Sequence, residues 1–224
     1  MFDYQKTRSR EGPNEMLKNF KGHLQTDGYN AYTNLDMKAN IILLACLAHA
    51  RRKFEHAKDN DYDRATHALK LIQSLYEIEH KARVNELNYE QIKNIRQEKA
   101  LPVLQDMEVW LKQEIYNILP QSAIGKAFSY TLNMWERLKR YTEDGRFQID
   151  NNLIENSIRP VALGRKNYLF AGSHDAAQQA AMMYSLVATC KINAIEPYNW
   201  LKNTISLISD YPAKNLQKLL PISA

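Results

Sequence analysis

Residues 148–173, QIDNNLIENSIRPVALGRKNYLFAGS, hold a dense mixture of side chains able to do chemistry. Asp150 and Glu155 stand among Arg146, Arg159, Arg165 and Lys166, with Asn151, Asn152 and Asn156 between them. A carboxylate with cations beside it suits a divalent metal and the phosphates that accompany one. The same residues also suit an ordinary exposed ion pair, which is common and weak. A second carboxylate, Asp27, lies far upstream in LQTDGYNAY. Asp–Gly is a turn signal, and an acid at a strand end stands where α/β sheets gather ligands. On residue pattern alone, Asp27 either makes the turn or uses it. The run HARRKFEHAK at 49–58 sets Arg51, Arg52, Lys53 and Lys58 against Glu55 alone, which fits a phosphate-binding segment or a solvated face.

These groups need elements to hold them. Asn151 or Asn152 can cap a helix by accepting from a free helix-end N–H. Ile154, Ile158 and Val161 then recur at helical spacing, predicting a core-facing stripe with Glu155 on another face, one turn before Arg159. Pro160 predicts an end or a kink. Asp150 either supports the acidic site or caps a turn, and capping is the favoured reading. Upstream, short strands are predicted near 2–5 (FDYQ) and 22–26, the second ending at Asp27, with a brief helix over 14–20 between them. IILLACLA at 41–48 reads as a buried strand, although spacing alone does not separate it from a buried helix. A helix is predicted from His49. From 61 to 141 the chain is helical in pattern, with Leu69, Ile72, Leu75 and Tyr76 on one stripe and a bend at Pro102. Ser173 and Asp175 can cap a helix through 190. Glu196–Pro197 starts a last one, with Tyr198, Leu201, Ile205 and Ile208 on one side. Residues 211–224 are expected to fray.

Composition narrows the function classes. Thirty basic against twenty-five acidic residues give +5 over 224 residues, which permits a polyanionic partner without requiring one. The two cysteines, Cys46 and Cys190, sit inside apolar runs and read as reduced and buried. Cys46 and His49 would make half a zinc site with no second half nearby. His49 reads as structural or catalytic. The seven glycines never fall at nucleotide-loop spacing. The first residues carry no signal-peptide core, and no run is long and apolar enough for a membrane span, so a cytoplasmic protein is expected.

Four stretches together carry a resemblance: LQTDGYNAY at 24–32, CLAHARRKF at 46–54, IDNNLIENSIRPVALGRKNYLFAGS at 149–173, and YSLVATCKINAIEPYNWL at 184–201. In that order they resemble the catalytic part of IS66-family transposases, enzymes of the DDE type. The resemblance implies an α/β fold: a partial RNase H-like core over 1–58 and a large all-helical insertion over 59–145. A glutamate-bearing helix and basic segment over 146–173 and a C-terminal helical element over 174–224 would follow. It implies Mg2+, with Mn2+ as an alternative, held by Asp27 and Glu155 as catalytic acids. Arg159, Arg165, Lys166 and Asn167 would contact DNA at the transposon ends, as would Arg51 and Arg52, with Tyr168 stacking. It also implies a further acid on an earlier strand, which these residues do not supply. The isolated chain is therefore expected to be inactive or barely active, and to pair with itself or with a full-length transposase. A competing expectation is a non-catalytic DNA-binding or regulatory remnant; another is a purely structural helical protein.

If Lys and Arg at phosphates carry DNA affinity, binding falls steeply between low and high salt. A fluorescence-anisotropy titration over a salt series checks this; a flat series would remove the basic segments from the argument.

Overall fold

A computed structural model describes residues 1–32, 34–35 and 40–222. The chain divides into two compact units, Ser9–Asn152 and a smaller one made of Met1–Arg8 with Leu153–Ala224. Among the described residues it is an α-rich protein with one sheet of two short parallel strands.

In the larger unit, helix α1 (Glu11–Met16) precedes strand β1 (Gly22–Thr26). The helix starts earlier than predicted because Pro13 falls in its first turn, where N–H groups lack helical partners anyway. Strand β2 (Ile41–Ala45) pairs with β1 in parallel, from Gly22 opposite Ile41 to Thr26 opposite Ala45. A parallel pair needs a crossover, and the described residues between the strands include a 3-10 turn at Asn30–Tyr32. Leu35, Ile41 and Leu43 form a small core there, against Leu17, Leu24 and Tyr32. β2 stops three residues short of the predicted 48 and helix α2 (Leu47–His56) begins at once. Leu47 N–H leaves the ladder to donate to the Ile149 carbonyl at 3.0 Å. Leu47, Ala50 and Phe54 then bury one helical face.

Helices α3 (Tyr62–Val84), α4 (Tyr89–Ile95), α5 (Leu101–Glu114), α6 (Ala123–Asn133) and α7 (Trp135–Lys139) follow the predicted stripes. Each of three starts has its own cap: Asp61 accepts from Arg64 N–H, Asn88 and Gln91 form a reciprocal box, and Ser122 accepts from Gly125 N–H. Phe54, Ile72, Leu75, Leu104, Met107 and Phe128 are fully buried in one core that runs from Ala45 to Ile149. The bend expected at Pro102 appears just ahead of it, as a π-helical turn over Arg96–Ala100. Pro102 has no N–H to return to the preceding turn, and the ladder widens there.

That turn carries Arg96, 2% exposed, into the core. Its Nε and Nη2 donate to the two oxygens of Glu79 at 2.8 and 2.7 Å. Nη1 donates to the Tyr141 and Asp144 carbonyls, both at 2.8 Å, and Nη2 to the Phe147 carbonyl at 3.0 Å. Every N–H of the guanidinium therefore has a partner, and its charge stands 5.0 Å from the Tyr141 ring centre.

The smaller unit contains helices α8 (Asn152–Tyr168, whose first residue belongs to the larger unit), α9 (His174–Ile192) and α10 (Pro197–Ile208). Residues 2–5 form no strand. Phe2 N–H donates to Ser185 Oγ at 2.7 Å and Tyr4 Oη pairs with His174 Nδ1 at 2.6 Å, so side chains of α9 satisfy what a ladder would have. Pro160 does not end α8, which runs eight residues further to Tyr168. On an exposed helix, water can take the carbonyl that Pro160 leaves unbonded. The Ile154–Ile158 stripe is real but does not face a core: these residues are 59% and 45% exposed, and no residue of α8 is buried. α8 meets α9 on a different side, at Gly164, where an added Cβ would lie 2.1 Å from Tyr184 Oη.

The predicted cap holds at α9, where Ser173 accepts from Ala176 N–H at 3.0 Å; α10 starts at Pro197 as predicted, and Glu196 caps it by accepting from Asn199 N–H at 2.7 Å. Tyr198, Ile205 and Ile208 of α10 are exposed. The expected fraying beyond 211 is not found up to Ile222. A 3-10 turn over Ala213–Leu219 is tied back by Trp200 Nε1 donating to the Leu219 carbonyl and Asn193 Nδ2 to the Pro221 carbonyl, both at 2.9 Å. Residues 223–224 lie outside the described residues.

Arg96→Leu leaves Glu79 and three carbonyls without their donor. Breaking a buried pair this way costs about 3–5 kcal/mol, so calorimetry should show a melting point lower by roughly 10 °C.

Candidate metal and nucleic-acid site

Asp27 follows β1 directly, at the carboxyl end of the parallel pair, and its side chain is exposed. Its Oδ1 accepts from Tyr29 N–H at 2.9 Å, closing the predicted turn, and Gly28 supplies the positive φ of 81° that the turn requires. Among the described residues, Oδ2 makes no hydrogen bond, so the carboxylate can both shape the turn and offer a hard oxygen. Tyr130 donates to the Asp27 carbonyl at 3.4 Å. Burial, helped by the nearby Cys46 and Asp27, pushes the Tyr130 phenol up to about 12. Lys53, from the basic run, lies 4.6 Å above the Tyr130 ring. Sequence reasoning missed Tyr130 in this setting, because a residue on a helical stripe carries no signal of its far-off partner.

One step past Ala45 stands Cys46. Its buried sulfur accepts from Asn151 N–H at 3.2 Å. Burial pushes the Cys46 thiol up, so it stays protonated, as expected of a reduced, buried cysteine. Gln25 Nε2 donates to the Gln148 carbonyl at 2.8 Å and the His23 and Phe147 rings meet at 4.5 Å. Residues 147–151 are thus sewn along the sheet, and this stretch leads into α8. Asp150 caps the entry, as predicted. Oδ1 accepts from Asn152 N–H at 3.0 Å, and Oδ2 accepts from Asn152 Nδ2 at 2.7 Å and from the Tyr76 hydroxyl at 3.0 Å. The backbone acceptor is therefore Asp150 and not an asparagine. Burial, then the Asp150 charge, drives the Tyr76 phenol far above its ordinary value.

The candidate cations fall in two places. In the larger unit, Arg51 and Arg52 lie on α2 and line a groove with Gln73, Tyr76 and Asn152. Arg51 pairs with Glu55 at 2.9 Å, and Glu55 also takes Lys58 at 2.7 Å, so part of this basic run is neutralised internally. The hydrogen bond from Lys58 holds the Glu55 carboxyl below its usual range. In the smaller unit, Glu155 sits in the first turn of α8, and Arg159, Arg165, Lys166 and Asn167 follow on it, all exposed. At i, i+4 and i+11, Glu155, Arg159 and Lys166 share one stripe, with Arg165 and Asn167 on either side. Asp27 belongs to one unit and Glu155 to the other. Among the described residues, no three or more His, Cys, Asp or Glu side chains are grouped so as to hold a metal.

The model of the Transposase IS66 family matches residues 1–179, and that of the IS66 C-terminal element matches residues 185–222. The chain belongs to the IS66 transposase family. Similar proteins occur in Sinorhizobium fredii (strain NBRC 101917 / NGR234), each described as an uncharacterized protein. The one designated y4hP is 36% identical over 231 residues, covering 96% of this chain and 42% of its own length. The one designated y4jD is 34% identical over 227 residues, covering 97% and 44%. The chain therefore spans about two fifths of the length of these curated relatives. No solved structure matches it. Among the described residues, no helix is long and apolar enough to cross a membrane.

Tyr76→Phe removes one of three hydrogen bonds to a nearly buried carboxylate. A bond to a charged group contributes about 1.5–3 kcal/mol. The variant should lose that much stability in urea and exchange the amide hydrogens of the first turns of α8 faster. Unchanged exchange there would mean that Asp150 holds the helix start without Tyr76.

Proposed function

We propose that this chain is part of a DNA transposase whose chemistry is metal-dependent phosphoryl transfer on transposon ends. Asp27 and Glu155 are its cation-holding acids, on an RNase H-like core to which β1 and β2 contribute. The observation that carries this reading is the place of Asp27: an exposed carboxylate just past the carboxyl end of a parallel strand, with an oxygen to spare. Glu155 supports it, being an exposed carboxylate in the first turn of α8, with Arg159 one turn further on. Carboxylate oxygens are the ligands Mg2+ or Mn2+ prefers. When bound, the cation supplies a Lewis acid for a phosphoryl oxygen and an acidified water.

The chain's own residues do the rest. Arg159 and Lys166, on the stripe of Glu155, neutralise phosphates, and Arg165 and Asn167 widen the contact. Arg51 and Arg52, on α2 of the larger unit, are further cations for DNA phosphates. The partners in this reading are DNA and either a second copy or a longer transposase. A second reading, a non-catalytic DNA-binding or regulatory remnant, draws on the Asp27–Tyr29 bond: there Asp27 is only a turn-former, and the cations alone matter.

Two carboxylates suit one cation, and a two-metal displacement needs more. These 224 residues alone should therefore cut DNA weakly or not at all, so metal placement is the sharper test. Fe2+ in place of Mg2+, with ascorbate and peroxide, should cleave the polypeptide near both 27 and 155. Asp27→Asn and Glu155→Gln should each abolish both cuts while leaving DNA binding intact. Cleavage at one position only would separate the two acids and sink the proposal.

A further inference from the structure

The smaller unit holds a recess that the metal chemistry does not use. Its walls are aromatic: Phe2 and Tyr4 from the N-terminal segment, Tyr168 at the end of α8, Phe170 in the turn beyond it, and Tyr184 on α9. Phe2 and Tyr184 meet edge to face, with ring centres 6.3 Å apart at 76°. Tyr168 and Tyr184 bring their hydroxyls to 3.5 Å. Tyr4 is set by its hydrogen bond to His174 Nδ1. The floor is small, formed by Ala177, Ala180 and Ala181 at i, i+3 and i+4 on α9, so a flat ring can come close. Leu169 at φ 61° and Gly172 at φ 79° turn the chain on both sides of Phe170, which is left 76% exposed. Arg165 lines the same recess, and Lys166 and Arg159 are exposed on the same helix. Asp3 is the carboxylate among the lining residues, and Gln5 Nε2 donates to it at 2.5 Å.

Ring faces beside a guanidinium match one kind of ligand well: a base with its phosphate. A base inside a duplex has both faces covered by its neighbours, so it cannot enter such a recess. An unpaired base can stack on aromatic side chains whatever its identity, while the adjacent phosphate meets a cation. We infer that this recess binds an unpaired nucleotide of single-stranded or locally opened DNA, stacking the base among Phe170, Tyr168 and Tyr184 and holding its phosphate with Arg165. The inference rests on the reading that the chain acts on DNA, but on none of the metal ligands. It gives the N-terminal segment a role that a sheet strand would not have, since Phe2 and Tyr4 complete the wall. It also separates Arg165 from Arg159 and Lys166, which serve the phosphates of the duplex.

The test uses the whole chain and a fluorescent oligo-dT of twelve nucleotides, beside a duplex of equal length, at low salt. Wild type should bind the single strand, and Phe170→Ala should weaken that binding about tenfold, the loss expected for one stacked base. Phe170 is exposed, so its loss should leave the melting point unchanged, and duplex binding should change less than twofold. Arg165→Gln should weaken single-strand binding and make it less salt-dependent. Photo-crosslinking with 5-iodouracil in the strand should label Phe170, Tyr168 or Tyr184. Equal binding by wild type and Phe170→Ala, or crosslinks confined to the larger unit, would overturn the inference. Asp27→Asn and Glu155→Gln should bind oligo-dT like wild type. If Fe2+ cleavage fails while these results hold, the metal reading falls and this one stands; the reverse pattern separates them the other way.

Discussion

The larger unit depends on one buried cation. Arg96, on its π-helical turn, ties three other stretches to a single point: α3 through Glu79, the turn after α7 through the Tyr141 and Asp144 carbonyls, and the stretch toward α8 through the Phe147 carbonyl. A buried ion pair is seldom a large net source of stability, because desolvation offsets much of the attraction. Its value here lies in direction. A guanidinium has five N–H groups in one plane, and satisfying all of them leaves few geometries open. The π-helical turn that delivers Arg96 is the local distortion that makes this possible, placed just before the proline that disfavours a regular ladder.

From that clamp the order passes to the site. Phe147 meets His23 of β1, Ile149 receives the first N–H of α2, and Asn151 donates to Cys46. The residues before α8 are therefore set by contacts to β1, to the cysteine that follows β2 and to α2. Asp150 then starts the helix with a carboxylate fully occupied by Tyr76 and Asn152. The acid nearest to Glu155 in sequence is thus spent on structure, while Asp27 and Glu155 are exposed. The helices between Asp61 and Glu143 supply Tyr76, Tyr130 and Arg96, so they build the surroundings of the strand ends and do not merely separate two motifs.

The smaller unit is organised on other terms. Among its described residues, Cys190 and Pro221 are the buried ones, and its helices keep much of their apolar surface outside. Caps and single hydrogen bonds do much of the ordering: Ser173, Glu196, Trp200 to Leu219, Asn193 to Pro221. Exposed Ile154 and Ile158 show why a stripe at helical spacing predicts a helix better than it predicts a core. Spacing reports which residues share a side, and burial needs something opposite that side.

Local chemistry was readable from the residues alone. The turn at Asp27–Gly28, the caps at Asp150 and Ser173, the helix start at Pro197, and the helical stripes from 61 to 141 follow from what each side chain does to its own neighbouring backbone, within a few residues. The family was readable as well, because its motifs are contiguous. Everything that required a distant partner was not. Residues 2–5 alternate like a strand but are held by Ser185 and His174. β2 gives way to α2 at Leu47 because Ile149 takes its N–H. Pro160 stays inside a helix that is exposed, where water can take the Asn156 carbonyl that the missing N–H leaves unbonded. Residues 211–222 hold together through Trp200 and Asn193. A side chain's effect on adjacent backbone is written in a few consecutive letters, whereas a bond across a hundred residues exists only once the chain has folded.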